Sequence, residues 1–458
     1  MDKRLRWLAL ASASAILVAA CTGNTASTAP SSAPSTAPSS APSAEPTVAP
    51  SEPASDVTVT FRTRPDNDAE AAVYEQVAAK VSQMTGVTVV YQKGGSETSS
   101  YQDQLKTEAA AGTAPDVFWL PGTDTADFAT KGITLDLRSY ASATDGYSDD
   151  LYYPGPMAQL TTDPATGQPG DKLWGLPRDV STFGLYLNLD LIAEAGAEDP
   201  RELAAAGDWT WAKFEEVGKK VAALSADVKA YGASSWWGPY GVWMNGAGGG
   251  FFNADRSACG LDTPGSIAGL EQLKKIYELD NFAIKYGEDP EGPFIAGNVA
   301  MFQNGRWATP NIRTNAKFDW DVVRLPDGPK PGGNWLFWGA YAVNAKAADA
   351  EAAWKVAYAL TDPEVQKMVS ELGANIPSRV GDAAIADFLT FSPPANNQAF
   401  IDGLTTNPAT EGPLWAGSWP KFDTVMGAAV TSVVNGETTV DEFKATICTS
   451  ANAEAFGN

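Results

Sequence analysis

The sequence predicts an α/β protein built as two domains, on three observations. A strand, a helix and a second strand follow one another between Val57 and Tyr91. Helices with clear start and stop signals then alternate with short strands down the chain. The foldable part of the 458 residues runs to about 400, beyond the size at which a single core keeps growing.

Val57 to Phe61 alternates as a strand, and Asp66 or Asn67 caps a helix whose apolar positions Val73, Val77, Val81 and Met84 recur at helical spacing before Gly86 stops it. Val87 to Tyr91 is the second strand, which makes a βαβ unit with a right-handed crossover. Tyr101 to Ala111 reads as the next helix and Ala114 to Trp119 as the strand after it. Thr210 caps a helix carrying Trp211, Phe214, Val217, Val221 and Leu224. Asp262 or Thr263, with Pro264 in the first turn, opens another, and Asp362-Pro363 a third that Gly373 closes. Trp209, Trp211, Trp320 and Trp354 fall at helix or strand spacing and are read as packing residues. No internal repeat is present.

The N-terminus has a different character. Lys3, Arg4 and Arg6 precede an apolar run from Trp7 to Ala20 that is too short to span a bilayer and ends in small residues before Cys21. The segment resembles a bacterial lipoprotein signal, which implies cleavage after Ala20, lipidation of Cys21 and anchoring on the extracytoplasmic face of the cell membrane. The alternative is an ordinary signal peptide cut at the same place. From Thr22 to Asp56, 29 of 35 residues are Ala, Pro, Ser or Thr, so residues 21–55 are expected to form a disordered stalk.

The chain has 32 basic and 55 acidic residues, no histidine and a formal charge of −23. Such a surface repels nucleic acid and anionic head groups. Without histidine there is no Ser-His-Asp or Cys-His machinery and no histidine-ligated zinc. No phosphate loop, dinucleotide fingerprint or Cys-x-x-Cys occurs. The reading is therefore of no catalytic residue, no cofactor and no metal, with carboxylate-pair glycoside hydrolysis as the one enzymatic alternative. Cys259 and Cys448 read as a disulfide in an oxidising compartment, or else as two buried thiols.

Four stretches in order, 105–137, 173–191, 294–312 and 339–379, resemble the extracytoplasmic sugar-binding proteins of ATP-driven importers, the group that includes maltose-binding protein. The resemblance implies a two-lobed periplasmic-binding-protein-like fold of type II, each lobe a mostly parallel sheet flanked by helices, joined by a hinge with ligand between. Carried over, one lobe is 56–137 plus 291–326 and the other 138–290 plus 327–458. Both cysteines then fall in the second lobe. It also implies a monomer that captures a carbohydrate and delivers it to the transmembrane subunits of an ABC permease. The same fold holding a polyamine, peptide or other small solute is the alternative.

Fifteen tryptophans point to the ligand, because a pyranose ring presents a C–H face to an aromatic ring while its hydroxyls need amide, carboxylate and guanidinium partners. Trp236, Trp237 and Asn245 lie in a Gly-, Pro- and Asn-rich segment. Trp119 ends a strand and is followed by Asp124, at the carboxyl edge where open α/β sheets bind ligands. Trp307 matches a position that stacks on sugar in the family, against a packing alternative. Arg178 and Asp179 are expected either to bind hydroxyls or to pair with each other. Trp335, Trp338 and Trp419 match other cleft segments, Trp415 is near the last of them, and Arg64, with Arg62, follows the first strand.

Overall fold

In a computed structural model, the structure describes residues 56–457 apart from positions 66, 67, 97, 374 and 407. The signal, Cys21, the stalk and Asp66 lie outside the described residues. Eleven strands concern the site: β1 Thr58–Thr63, β2 Thr88–Lys93, β3 Val117–Pro121, β4 Leu176–Ser181, β5 Phe183–Asn188, β6 Lys229–Ala233, β7 Val299–Gly305, β8 Trp320–Val323, β9 Trp335–Val343, β10 Ile376–Pro377 and β11 Ala409–Thr410. The helices used below are α1 Asp68–Thr85, α2 Thr98–Ala111, α3 Trp211–Ala222, α4 Trp237–Gly246, α5 Pro264–Glu278, α6 Ala350–Ala359, α7 Pro363–Ser370, α8 Asp382–Thr390, α9 Gln398–Thr405, α10 Trp419–Val434 and α11 Val440–Phe456.

Local signals act as the sequence predicts. Gly86 takes φ +71° just past α1, where a Cβ would be strained. Thr210, Thr263 and Asp362 accept backbone N–H groups at the starts of α3, α5 and α7. Trp209 is fully buried with its indole N–H on the Arg324 carbonyl. Cys259 and Cys448 are bridged, Cα to Cα 5.2 Å, tying the loop before α5 to α11.

Two sheets organise the body. A seven-stranded sheet runs β10-β4-β9-β3-β1-β2 with β11 added beside β9, and a four-stranded sheet runs β8-β5-β7-β6. Both are mixed, which corrects the expectation of mostly parallel sheets. β1 pairs in parallel with β2 and β3, but β9 is antiparallel to both β3 and β4, and β5 is antiparallel to β7 and β8. The reason is topological: β4 leads the chain out of the first sheet and β9 brings it back, so neighbours formed by an exit and a re-entry run in opposite directions.

The sheet pairing also redraws the expected partition. Residues 291–326 carry β7 and β8, which bond to β5 and β6, whereas β4, β9 and β10 belong with β1–β3. The backbone passes between the two sheets at Thr182, across 324–334 and across 391–397, the last linking α8 on the first half to α9 on the second. Buried polar side chains lace these crossings. Asn334 accepts the N–H groups of Phe183 and Trp335 (3.1 and 2.8 Å) and donates to the Phe183 carbonyl (2.9 Å). The Thr182 hydroxyl donates to the Phe400 carbonyl at 2.8 Å.

Candidate functional site

Aromatic side chains gather where α4 begins, where β7 ends and where β9 enters the first sheet. The loop after β6 delivers Trp236 at 37% exposure, one of few large apolar side chains left open. Its ring centroid lies 6.4 Å from that of half-buried Trp307, and both touch Phe183 and Phe337. Trp237 continues the wall inward, 5.2 Å from Trp335 and 5.3 Å from Trp419, edge to face in each case. The Trp335 indole N–H is committed to the Gly238 carbonyl, which fixes the start of β9 against α4.

The wall ends in a cavity of about 270 Å³ lined by Trp237, Asn245, Phe251 and Trp419 from the second half, with Thr123, Trp335 and the β11 segment Thr410-Glu411 from the first. Two of its charged residues, Arg256 and Glu411, escape sequence reasoning. Glu411 stands alone among Asn, Pro, Ala, Thr and Gly, Arg256 follows Asp255 in a short Asn-Ala-Asp-Arg-Ser loop, and no periodicity or motif singles out either. Burial pushes the Glu411 carboxyl up to about 8, helped by Asp124 and Asp179 and opposed by the Trp338 N–H and by Arg256. Burial likewise lowers Arg256 to about 10, against the pull of Glu411.

The first half presents charge. Trp119 is 7% exposed, and the guanidiniums of Arg64 and Arg178 each lie 5.3 Å from its ring centroid. Its indole edge crowds Gly339, where a Cβ could not fit. Trp338 is likewise packed against Gly122, where a Cβ would meet the indole at 2.6 Å, and its N–H donates to the Glu411 carbonyl at 2.7 Å. Packing and guanidinium stacking thus cover these two rings. Arg178 and Asp179 pair at 2.6 Å, and although burial works against the cation, Asp179 keeps it firmly charged. Asp124 is buried with Oδ2 lacking any partner, and desolvation raises its carboxyl to about 6.

Of the residues singled out in the sequence, Trp236, Trp237, Trp307, Trp335, Trp419 and Asn245 therefore meet in one aromatic wall and its cavity. Asn245 spends its amide N–H on the Asn334 carbonyl. A larger hollow, about 880 Å³, opens elsewhere, between the end of α1 and α6. Its Trp354 is buried and tied to Thr144, and none of the candidate ligand residues lines it.

Comparisons with known proteins place this geometry. The Galactooligosaccharide-binding protein of Bacillus subtilis (strain 168) is 27% identical over 284 residues, 60% of this chain and 63% of that one. The chain thus matches somewhat under two thirds of that relative's length. A Maltooligosaccharide ABC transporter solute-binding lipoprotein of Streptococcus pneumoniae (strain ATCC BAA-255 / R6) is 25% identical over 329 residues, 68% of this chain and 71% of that one. Among solved structures, an ABC substrate-binding protein from Listeria monocytogenes in complex with cycloalternan superposes with a TM-score of 0.75 at 21% identity, covering 87% of this chain and 98% of the other. That likeness establishes the two-lobed α/β fold. The model of the bacterial extracellular solute-binding protein family matches residues 76–389, and the chain belongs to that family.

Proposed function

We propose that this protein is a lipid-anchored receptor that captures a carbohydrate between its two halves and hands it to an ABC permease. One observation carries the reading. Trp236 and Trp307 hold open aromatic surface, Trp237 continues it into the cavity that Arg256 lines, and Asp124 Oδ2 and Arg256 Nε are buried without partners. A sugar matches both demands at once, its C–H face stacking on indole and its hydroxyls reaching the polar atoms. The relatives, a galactooligosaccharide-binding protein and a maltooligosaccharide solute-binding lipoprotein, support the same cargo class and the anchor at Cys21.

In this reading the halves 56–181 with 335–390 and the β11 segment 409–411, and 183–334 with the rest of 391–457, rotate about the crossings between the two sheets. Ligand binds best when both halves contact it and so shifts the population toward closure. Among the described residues no helix is long and apolar enough to cross a membrane, and the receptor is a monomer held by its acyl chains.

The test is an intrinsic-fluorescence and thermal-shift screen of the purified chain against mono- and oligosaccharides, with spermidine and short peptides alongside. A sugar that raises Tm, changes tryptophan emission and is recovered intact is the expected result. The carboxyls Asp124, Asp179 and Glu411 at the cleft favour a cationic cargo as the second reading, which a response to spermidine alone would establish. Cleavage of the sugar would replace the receptor reading with a glycosidase.

A further inference from the structure

Arg256 and Glu411 line the same small cavity and yet form no ion pair. Arg256 turns one nitrogen away, Nη2 donating to the Gly412 carbonyl at 2.7 Å, while its Nε is shut off from solvent with no acceptor. Glu411 receives the Trp338 backbone N–H on Oε2 at 3.2 Å, and among the described residues none donates to its Oε1. A buried carboxyl and a half-buried guanidinium in one hollow gain most by direct contact. Here each is held by a bond to backbone instead, and Arg256 Nε is left unsatisfied. Both desolvation costs are relieved together by a group that accepts from Arg256 and donates to Glu411.

The placement of Arg256 is built, and at a cost. Its φ is +56°, in the left-handed region that non-glycine residues rarely occupy. Three contacts hold it there. The Asn253 carboxamide oxygen accepts the N–H groups of Ser257 and Ala258 (2.9 and 3.0 Å). The Phe252 ring lies under the guanidinium at 5.0 Å. The Cys259–Cys448 bridge, with the Cys259 N–H on the Asn452 side chain at 2.9 Å, closes the loop onto α11. Glu411 comes from the opposite half, on the segment that β11 aligns beside β9.

We propose that Arg256 and Glu411 together form the specificity-determining polar pair of the cleft, grasping two adjacent hydroxyls of a terminal sugar unit, with the Cys259–Cys448 bridge as the device that positions Arg256. One hydroxyl oxygen accepts from the Arg256 guanidinium and its neighbour donates to Glu411 Oε1, while Trp237 and Trp335 bound the ring. The inference rests on the carbohydrate reading and deepens it: the aromatic wall supplies affinity for sugars in general, and the pair chooses among them. A site that hydrogen-bonds a particular hydroxyl rejects the analogue lacking it far more strongly than an apolar wall can.

The experiment measures affinities of maltose, lactose and their monodeoxy analogues by calorimetry. The proteins are the full chain, Arg256→Lys, Arg256→Gln, Glu411→Gln, Trp307→Ala, and Cys259→Ser with Cys448→Ser, each checked for cooperative melting. The wild type is expected to prefer one parent sugar over one of its deoxy analogues by 10-fold or more. Glu411→Gln and both Arg256 variants should weaken the parent by about 10–100-fold and bring that preference below about 3-fold. The cysteine pair, or the wild type held in reductant if that variant does not fold, should lose preference like Arg256→Gln. Trp307→Ala should weaken parent and analogue alike. Unchanged preference in the Arg256 and Glu411 variants, with Trp307→Ala still weakening parent and analogue alike, overturns the pair and leaves the carbohydrate reading standing. Absence of any sugar response in the wild type overturns that reading and the pair's role with it.

Discussion

The two faces of the cleft solve different problems. On the side of the four-stranded sheet, Trp236 and Trp307 keep aromatic surface in the open, supported from behind by Phe183 and Phe337. On the side of the seven-stranded sheet, Trp119 and Trp338 are as large and as near the edge, but guanidiniums and glycine backbone cover them. What that side offers instead is charge held in low dielectric: Asp124, the Arg178–Asp179 pair and Glu411. Tryptophan count alone says nothing about binding; what matters is which rings the fold leaves uncovered. On the proposed carbohydrate reading, a ligand with an apolar face and a polar edge is matched by two halves of unlike chemistry.

If the division holds, removing the open rings should cost most. Each indole contributes about 1.5–2 kcal/mol of stacking and burial, so Trp236→Ala with Trp307→Ala should weaken sugar binding roughly 100–1000-fold by calorimetry, while Trp119→Phe should change it only a few-fold. A comparable loss from both would erase the contrast between the faces.

The charged face should betray itself next, through pH. Asp124 is raised from 3.8 to about 6, so the folded state holds this proton more tightly than the unfolded chain does. Its contribution to stability is fully present below about pH 4 and lost as pH rises through about 6, a change of about 3 kcal/mol. Glu411 acts in the same direction up to about 8. Urea unfolding at pH 4.5 and 7.5 should therefore show greater stability in acid from these groups, and Asp124→Asn should flatten the difference and stabilise the protein at pH 7.5. An unchanged slope in that variant would remove Asp124 from the account.

Between the faces, Asn334→Leu strips the crossing strands of three hydrogen bonds and should cost about 2 kcal/mol in urea unfolding. The smallest effect should have the opposite sign. Arg306 is wholly buried, with no partner on any guanidinium nitrogen, between Phe388 of the first half and Phe400 of the second. Arg306→Met keeps the packing and removes the unpaired cation, so Tm should rise by a few degrees, about 1 kcal/mol. A fall in Tm would mean that the guanidinium has a partner in solution.

The helix signals and the first βαβ unit were legible because each is written within a few residues: Thr210, Thr263 and Asp362 cap, Gly86 stops, and alternation marks β1. The aromatic wall was legible in part, since Trp236, Trp237 and Trp307 stand in loops where no helical face claims them. Trp119 and Trp338 occur in equally suggestive settings and turn out packed, because their neighbours Arg64, Arg178, Gly122 and Gly339 arrive from other strands. The lobe partition was misplaced for a related reason: nothing local to 299–305 or 335–343 tells which sheet a strand joins.

By itself, the sequence determined the α/β class, the punctuation of its helices, the exclusion of histidine chemistry and the two cysteines available to bridge. Those features depend on composition and on spacings of two to four residues, which the chain carries wherever it folds. Only the tertiary structure decided that β7 and β8 pair with β5, that Trp236 stays open while Trp119 is covered, and that Arg256 faces Glu411 across one cavity. Each is a meeting of segments far apart in the chain, set by where the backbone crosses between two sheets, and no local propensity encodes that crossing.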